Sequence, residues 1–380
     1  MRILFATHSL PPPGSFLANV GGMQRVAAEL HLALSEHPGV SLTTVAASSS
    51  ARWYGTTTYL FLGRLLARLP AYARRARPDV VLLSSMTAGV VAPGFRRRMP
   101  DVRLAAIAHG RDVTLPTRLN QRLLPPAFAA LDAVLPVSSA TAAACQARGA
   151  DPSRLHVVPN GVDLARFKAL PERHAARALL ADRAPLPDDA FVLVAAGRQV
   201  RRKGTAWFIR GVLPLLPPVT QLWVIGEGPE DEAIRAAISE VDAGDRVRVF
   251  GRVTEGELMI LLRGGDLFVM PNVPVVGDME GFGVVMLEAG LCGLPVVASA
   301  LEGITDVVVE GESGHLVPPL DAGAFADVIG RYVRDRAALQ GLACRARAHV
   351  ARAFAWPVAA ERYVATLERV IAGEGGRLRP

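Results

Sequence analysis

The chain has 380 residues, 51% of them apolar and 20% charged, with a formal net charge of +7. That length and balance point to two domains with sizeable cores and argue against a small stapled module or a disordered chain. No apolar run reaches the roughly 18–20 residues that span a bilayer. Met1-Arg2 runs straight into a strand-like segment and not into a signal peptide, so a cytoplasmic protein is expected. Cys145, Cys292 and Cys344 lie far apart in apolar helical contexts and read as reduced core residues.

The positive charge is unevenly spread. Between Glu36 and Asp101 the only acid is Asp79, against Arg52, Arg64, Arg68, Arg74, Arg75, Arg77, Arg96, Arg97 and Arg98. Such a patch attracts an anionic partner: lipid headgroups, an acidic glycan or nucleic acid. A solvated basic face that merely aids solubility reads the same way.

In chain order, residues 2–7 form a first strand, residues 8–20 a proline-rich loop, and Gly21-Gly22 a turn before a helix over 23–35. Strand, glycine turn and helix open a doubly wound fold. The glycine pair is not G-x-G-x-x-G, so a standard dinucleotide site is not indicated. A strand over 41–47 follows, then a helix over 58–69 that Pro70 is expected to break before a short basic piece at 71–76. That leucine- and arginine-rich helix suits either a membrane surface or one face of a sheet. Strands follow over 80–84 and 104–108, and the second ends at His109-Gly110-Arg111-Asp112. Ligands of open α/β sheets collect at the carboxyl ends of strands, which makes His109 a site candidate that Asp112 is placed to orient. A strand over 133–137 precedes an N-cap at Ser138-Ser139, and Pro159-Asn160-Gly161-Val162-Asp163 is a turn by its residue types.

Residues 169–189 look like an interdomain segment. A second alternating set begins with a strand over 191–195 that ends at Gly197-Arg198. Lys203-Gly204 then leads a helix over 205–216. The strand over 222–225 ends at Gly226-Glu227-Gly228-Pro229. Further strands are expected over 247–250, 267–270, 295–298, 307–309 and 315–317. Helices are expected over 255–263, 284–291, 322–332 and 337–353. Trp356-Pro357 breaks the chain before a last helix over 358–372.

Chemistry concentrates in two stretches. Arg198 and Lys203, after a strand and before a helix, are expected to face a cleft and neutralise a departing diphosphate. Glu280 and Glu288 flank Gly281-Phe282-Gly283 and a helix start. The glycines leave room for a ligand near the backbone, and the first helix amides suit a phosphate. The two acids would accept hydrogen bonds from sugar and ribose hydroxyls. Asp278 lies close enough to share or replace the role of Glu280. An ordinary crossover helix with a surface Glu at each end fits the same letters. No D-x-D, Cys/His cluster or H-E-x-x-H supports a catalytic metal, and neither a P-loop nor G-x-S-x-G is present.

Taken together, His109-Gly110, Asn160-Gly161-Val162-Asp163, Gly197-Arg198, Lys203-Gly204, Gly226-Glu227-Gly228-Pro229, Glu280-Gly281-Phe282-Gly283 and Glu288-Ala289 resemble the family 4 retaining glycosyltransferases, in order and over nearly the whole chain. The resemblance implies an α/β fold of two Rossmann-like domains with parallel sheets and a central cleft (GT-B). An acceptor-binding domain over 1–172 would be joined by the C-terminal helix 357–380 crossing back, and a nucleotide-sugar domain would span 173–356. It implies a hexosyl transfer from a nucleoside-diphosphate sugar to a glycan or lipid-linked acceptor, without a metal or other cofactor. His109, Arg198, Lys203 and Glu280 would be catalytic. Gly21, Gly22, Gly197, Gly228, Phe282, Gly283, Val284 and Glu288 would bind the donor. An anionic membrane surface is a further expected partner, and nucleic acid is not. A glycoside hydrolase using Glu280 and Glu288, a sugar-nucleotide epimerase and a basic binding module stand as alternatives.

Overall fold

A computed structural model describes residues 1–10, 22–48 and 54–373. Residues 11–21, among them Gly21, residues 49–53, and residues 374–380 of the expected C-terminal helix lie outside the described residues. The chain divides into two compact units. The first holds Met1–Gly161, Gly277–Phe282 and Ala355–Pro380; the second holds Val162–Val276 and Gly283–Phe354.

The first unit carries a five-stranded sheet of β1 (Arg2–Leu10), β2 (Ser41–Ser48), β3 (Val80–Leu83), β4 (Arg103–Ala108) and β5 (Ala133–Pro136), in the order β2-β1-β3-β4-β5. Every neighbouring pair is parallel. Its helices are α1 (Gly22–Glu36), α2 (Tyr54–Ala76), α3 (Met86–Gly89), α4 (Ala92–Arg96), α5 (Arg111–Thr114), α6 (Arg118–Ala130) and α7 (Ser139–Gln146). β3 and β5 are buried along their whole length, as continuous apolar runs must be when helices cover both faces of a sheet.

The second unit carries a six-stranded parallel sheet. It comprises β6 (Phe191–Ala196), β7 (Thr220–Ile225), β8 (Val247–Gly251), β9 (Leu267–Met270), β10 (Val296–Ser299) and β11 (Gly314–Val317), in the order β11-β10-β9-β6-β7-β8. Its helices are α8 (Arg173–Leu179), α9 (Thr205–Gly211), α10 (Asp231–Glu240), α11 (Glu255–Gly264), α12 (Val285–Leu291), α13 (Ala322–Arg334) and α14 (Arg336–Ala353). The order reverses between β6 and β9, so two loops diverge there and leave a crevice at the carboxyl ends of these strands. The matching reversal in the first unit falls between β1 and β3.

Helix α15 (Trp356–Ile371) returns to the first unit. Trp356 starts it, with Pro357 in the first turn where a missing amide costs nothing. The indole of Trp356 donates to the buried carboxylate of Glu29 on α1 and lies flat on Gly161, where a Cβ would approach Cδ2 to 2.5 Å.

The structure corrects several expectations. Pro70 does not break its helix: α2 runs unbroken through it. The carbonyl of Leu66, which loses its usual amide partner to the proline ring, accepts from Arg98 Nη1 at 3.4 Å. The helix expected over 205–216 stops at Gly211, and a 3-10 turn over Leu213–Leu215 begins where Pro214 has no amide to continue it. Residues 307–309 form no strand and follow a 3-10 turn over Glu302–Asp306. The unit boundary falls at Gly161, where 172 was expected, because a 3-10 turn over Leu164–Phe167 packs into the second unit through Arg166 and the buried Phe167. The return to the first unit comes at Ala355, where 357 was expected. Residues Gly277–Phe282, expected in the second domain, pack with the first unit.

Candidate functional site

In the second unit the β6 and β7 loops meet backbone to backbone. A Cβ at Gly226 would lie 2.1 Å from the Gly197 carbonyl oxygen, and one at Gly228 would lie 2.1 Å from that of Gln199. Glycine there is a packing requirement. Gly197 also takes φ +133, which a side chain rarely adopts. Gly204, at φ +65, approaches the carbonyl of Pro271 so closely that a Cβ would sit 2.0 Å away. The loops after β6, β7 and β9 are thereby locked together.

Gln199 ties this assembly. Its side-chain amide donates to the carbonyls of Gly197 at 3.0 Å and Ile225 at 3.1 Å, and its Oε1 accepts from Thr205 Oγ1 at 2.8 Å. Lys203, Gln199, Thr205, Met270, Pro271 and Asn272 line a niche of about 10 Å³ at the carboxyl ends of β6 and β9, the size of one water molecule. Lys203 is half-buried and Arg198 is exposed. Both therefore sit on the loop at the sheet's reversal point, where the sequence puts them.

Glu288 lies in the first turn of α12 and is 3% exposed. Its Oε1 meets Arg166 Nη2 at 3.2 Å, and the same nitrogen lies 2.5 Å from Glu255 Oε1. The amides of Met286 and Leu287 bond back to the carbonyls of Gly283 and Val284, both at 2.9 Å, so these two are taken up within the turn. Space beside Gly283, at φ +81, is filled by Met286 Cε and Met270 Cε, which a Cβ would approach to 2.7 and 3.0 Å. Val284 caps this short helix and Phe282 is buried.

In the first unit a buried polar cluster occupies the carboxyl ends of β1, β3, β4 and β5. It includes Thr7, His8, Ser84, Ser85, Asp112 and Ser138. His109 Nε2 lies 2.9 Å from the Ser84 carbonyl oxygen. A carbonyl can only accept, so Nε2 carries the proton and, in the neutral ring, Nδ1 is the acceptor. Asp112, expected to orient the ring, instead accepts the backbone amides of His109 and Met86, each at 2.9 Å. Burial pushes the Asp112 carboxyl upward, against the pull of His109 and of those amides. Burial also lowers His8 to about 4, with His109 adding to the shift.

Glu280 is 8% exposed. The segment that carries it packs on His109-Gly110, where a Cβ at Gly281 would lie 1.9 Å from the His109 carbonyl oxygen. Gly110 answers with φ +93, and its Cβ would lie 2.8 Å from Gly281 Cα. Asp278 pairs with Arg111 at 3.7 Å. Gly22 begins α1 with nothing among the described residues within 4 Å of a Cβ there.

The first unit thus carries His109 and Glu280, and the second carries Arg198, Lys203 and Glu288. Sequence reasoning missed His8, Gln199 and Arg166. An Asp163 N-cap three residues before Arg166 was the only local sign of that arginine's placement.

The family described as Glycosyl transferases group 1 matches residues 190–335, and the one described as Glycosyltransferase Family 4 matches residues 20–166. D-inositol 3-phosphate glycosyltransferase 1 of Catenulispora acidiphila is 37% identical over 243 residues, 61% of this chain and 55% of that protein. The putative colanic acid biosynthesis glycosyltransferase WcaL of Escherichia coli K12 is 30% identical over 288 residues, 73% of this chain and 67% of that protein. The aligned region therefore spans about half to two thirds of these relatives. In structure the chain is similar to Anabaena HepE, crystallised with UDP, at a TM-score of 0.75 and 22% identity, over 97% of this chain and 100% of that one. Two Rossmann-like domains of this kind are the GT-B fold. The chain belongs to glycosyltransferase family 4.

The buried His8 makes a pH prediction. Its folded pKa of about 4 lies below the ordinary 6.5, so folding is unaffected above pH 6.5 and loses stability as pH falls towards 4. Between pH 7 and pH 5 that share is about 2 kcal/mol. Urea denaturation at the two pH values checks it: His8→Gln is expected to shrink the loss by about 2 kcal/mol. An unchanged loss contradicts the assignment.

Proposed function

We propose that the protein transfers a glycosyl unit from a nucleoside-diphosphate sugar to a hydroxyl acceptor, a glycan or a lipid-linked saccharide. The observation that carries this reading is Lys203 lining the niche at the β6/β9 reversal, in a chain of glycosyltransferase family 4. The UDP complex of HepE supports a nucleotide at a fold of this kind. In this reading Arg198 and Lys203 hold the diphosphate, Glu288 accepts from the ribose, and Gly197, Gly228, Phe282, Gly283 and Val284 shape the donor site. Gly22 lies by the phosphates. Glu280 accepts from sugar hydroxyls, and His109 offers Nδ1 beside the reacting carbon.

We read the reaction as retaining. The bond from the anomeric carbon to the phosphate oxygen breaks, and the bond to the acceptor oxygen forms on the same face. The acceptor proton passes to the departing phosphate. Charge stabilisation and positioning then do the catalytic work, with two cations in the place of a metal. A hydrolase built on the two glutamates is not favoured, since Arg166 already engages Glu288.

We also infer contact with an anionic membrane surface. Phe61, Leu65, Leu69 and Ala73 of α2 are spent on the core, so its apolar stripe is not available for insertion. Arg64, Arg68, Arg74 and Arg75 are exposed beside Leu60 and Tyr72. Attraction to headgroups then dominates and is screened by salt. Flotation with phosphatidylglycerol vesicles is expected to recover the protein at low salt and to lose it at about 0.5 M salt, where the screening length is only a few ångström. No recovery at low salt removes this part of the reading.

Removing one preorganised charge stabiliser typically costs about 10²–10³ in rate. Lys203→Ala is expected to lower kcat by that factor, measured as nucleoside diphosphate released in the presence of EDTA. A loss below about tenfold in a folded variant overturns the clamp, and loss of wild-type activity in EDTA overturns the metal-free reading.

A further inference from the structure

We propose that Arg166 is a positioning residue for nucleotide recognition, holding the buried Glu288 carboxylate in the orientation that accepts the ribose hydroxyls. The proposal rests on the ribose-binding reading of Glu288 given above.

Arg166 and Glu288 are 122 positions apart, yet Nη2 lies 3.2 Å from Oε1. The same nitrogen lies 2.5 Å from Glu255 Oε1, so one guanidinium bridges two acids from two helices. The side chains of Arg166, Glu255 and Glu288 are 13%, 27% and 4% exposed. Each end of the bridge is fixed independently. Asp163 accepts the Ala165 amide at 2.9 Å and sets the 3-10 turn that presents Arg166. The guanidinium rests over the Phe167 ring, 5.4 Å from its centroid. Glu255 opens α11, whose start is held by a capping box of Thr254 and Glu257.

A nearly buried carboxylate is costly unless paired, and its rotamer is set by whatever pairs with it. Arg166 engages one oxygen of Glu288. Two acids share one guanidinium, so the rotamer of Glu288 is tied to a partner that is itself held by Glu255. Stability alone does not explain such a bridge, because apolar replacements of buried ion pairs are often neutral or better. Orientation of the carboxylate does explain it.

The test uses the full chain and measures Kd by calorimetry for UDP against 2′-deoxy-UDP, and for GDP against 2′-deoxy-GDP. Wild-type protein is expected to prefer the ribose form of one pair by about tenfold or more, the scale of one hydrogen bond to a charged group. In Arg166→Gln the ribose form weakens by about tenfold and the deoxy form by less than about threefold, so the preference collapses. Arg166→Lys restores part of it. A folded Arg166→Gln with the wild-type preference overturns the proposal. If that variant does not fold, Glu255→Gln releases the other side of Arg166 and is expected to reduce the preference in the same direction; an unchanged preference there overturns the proposal too. Wild-type protein that binds ribose and deoxy forms equally overturns the ribose reading of Glu288 first, and the proposal with it.

Discussion

Backbone contacts that only glycine permits hold the site loops in place. Gly226 on Gly197, Gly228 on Gln199, Gly204 on Pro271 and Gly281 on His109 each bring a carbonyl oxygen within about 2 Å of where a Cβ would stand. Real side chains do not tolerate such distances, so these contacts select glycine whatever else the loops do. In the second unit the consequence is a rigid junction of the β6, β7 and β9 loops at the sheet's reversal, with Gln199 satisfying the carbonyls that the junction buries. In the proposed reading, such a junction would let Lys203 act on a developing charge without first having to be ordered.

Electrostatics follow the same division of labour. The second unit buries Glu288 and binds it to Arg166, while Lys203 lies at the reversal point. The first unit buries a polar cluster around His8, with Asp112 stapling the backbone of the β4 loop to α3. On α2 the stripe of Phe61, Leu65, Leu69 and Ala73 is consumed by the core, while Arg64, Arg68, Arg74 and Arg75 stay exposed.

Much of this was legible in the sequence, and the reasons differ by residue. The buried strands announce themselves as short apolar runs ending in glycine, and the carboxyl-end rule then places His109, Arg198 and Lys203. The Glu280–Glu288 stretch carries its own signature. What escaped depends on distant neighbours. Pro70 stays helical because Arg98, remote in sequence, takes over the orphaned Leu66 carbonyl. Arg166 and Gln199 matter through partners on other elements, and beyond the Asp163 N-cap no local pattern marks them. The glycines were visible but their reason was not, since a gap for a ligand and a gap for a carbonyl leave the same letter.

In the proposed reading, the loops at the β6/β9 reversal and the Arg166–Glu288 pair serve one bound nucleotide. A crystal structure of the protein grown with UDP, or with GDP if that nucleotide binds instead, tests it most directly. The account predicts the diphosphate within hydrogen-bond reach of Lys203 and of the loop that begins at Gly197, with the ribose hydroxyls on Glu288. A nucleotide bound elsewhere, with Lys203 and Glu288 both untouched, would contradict it.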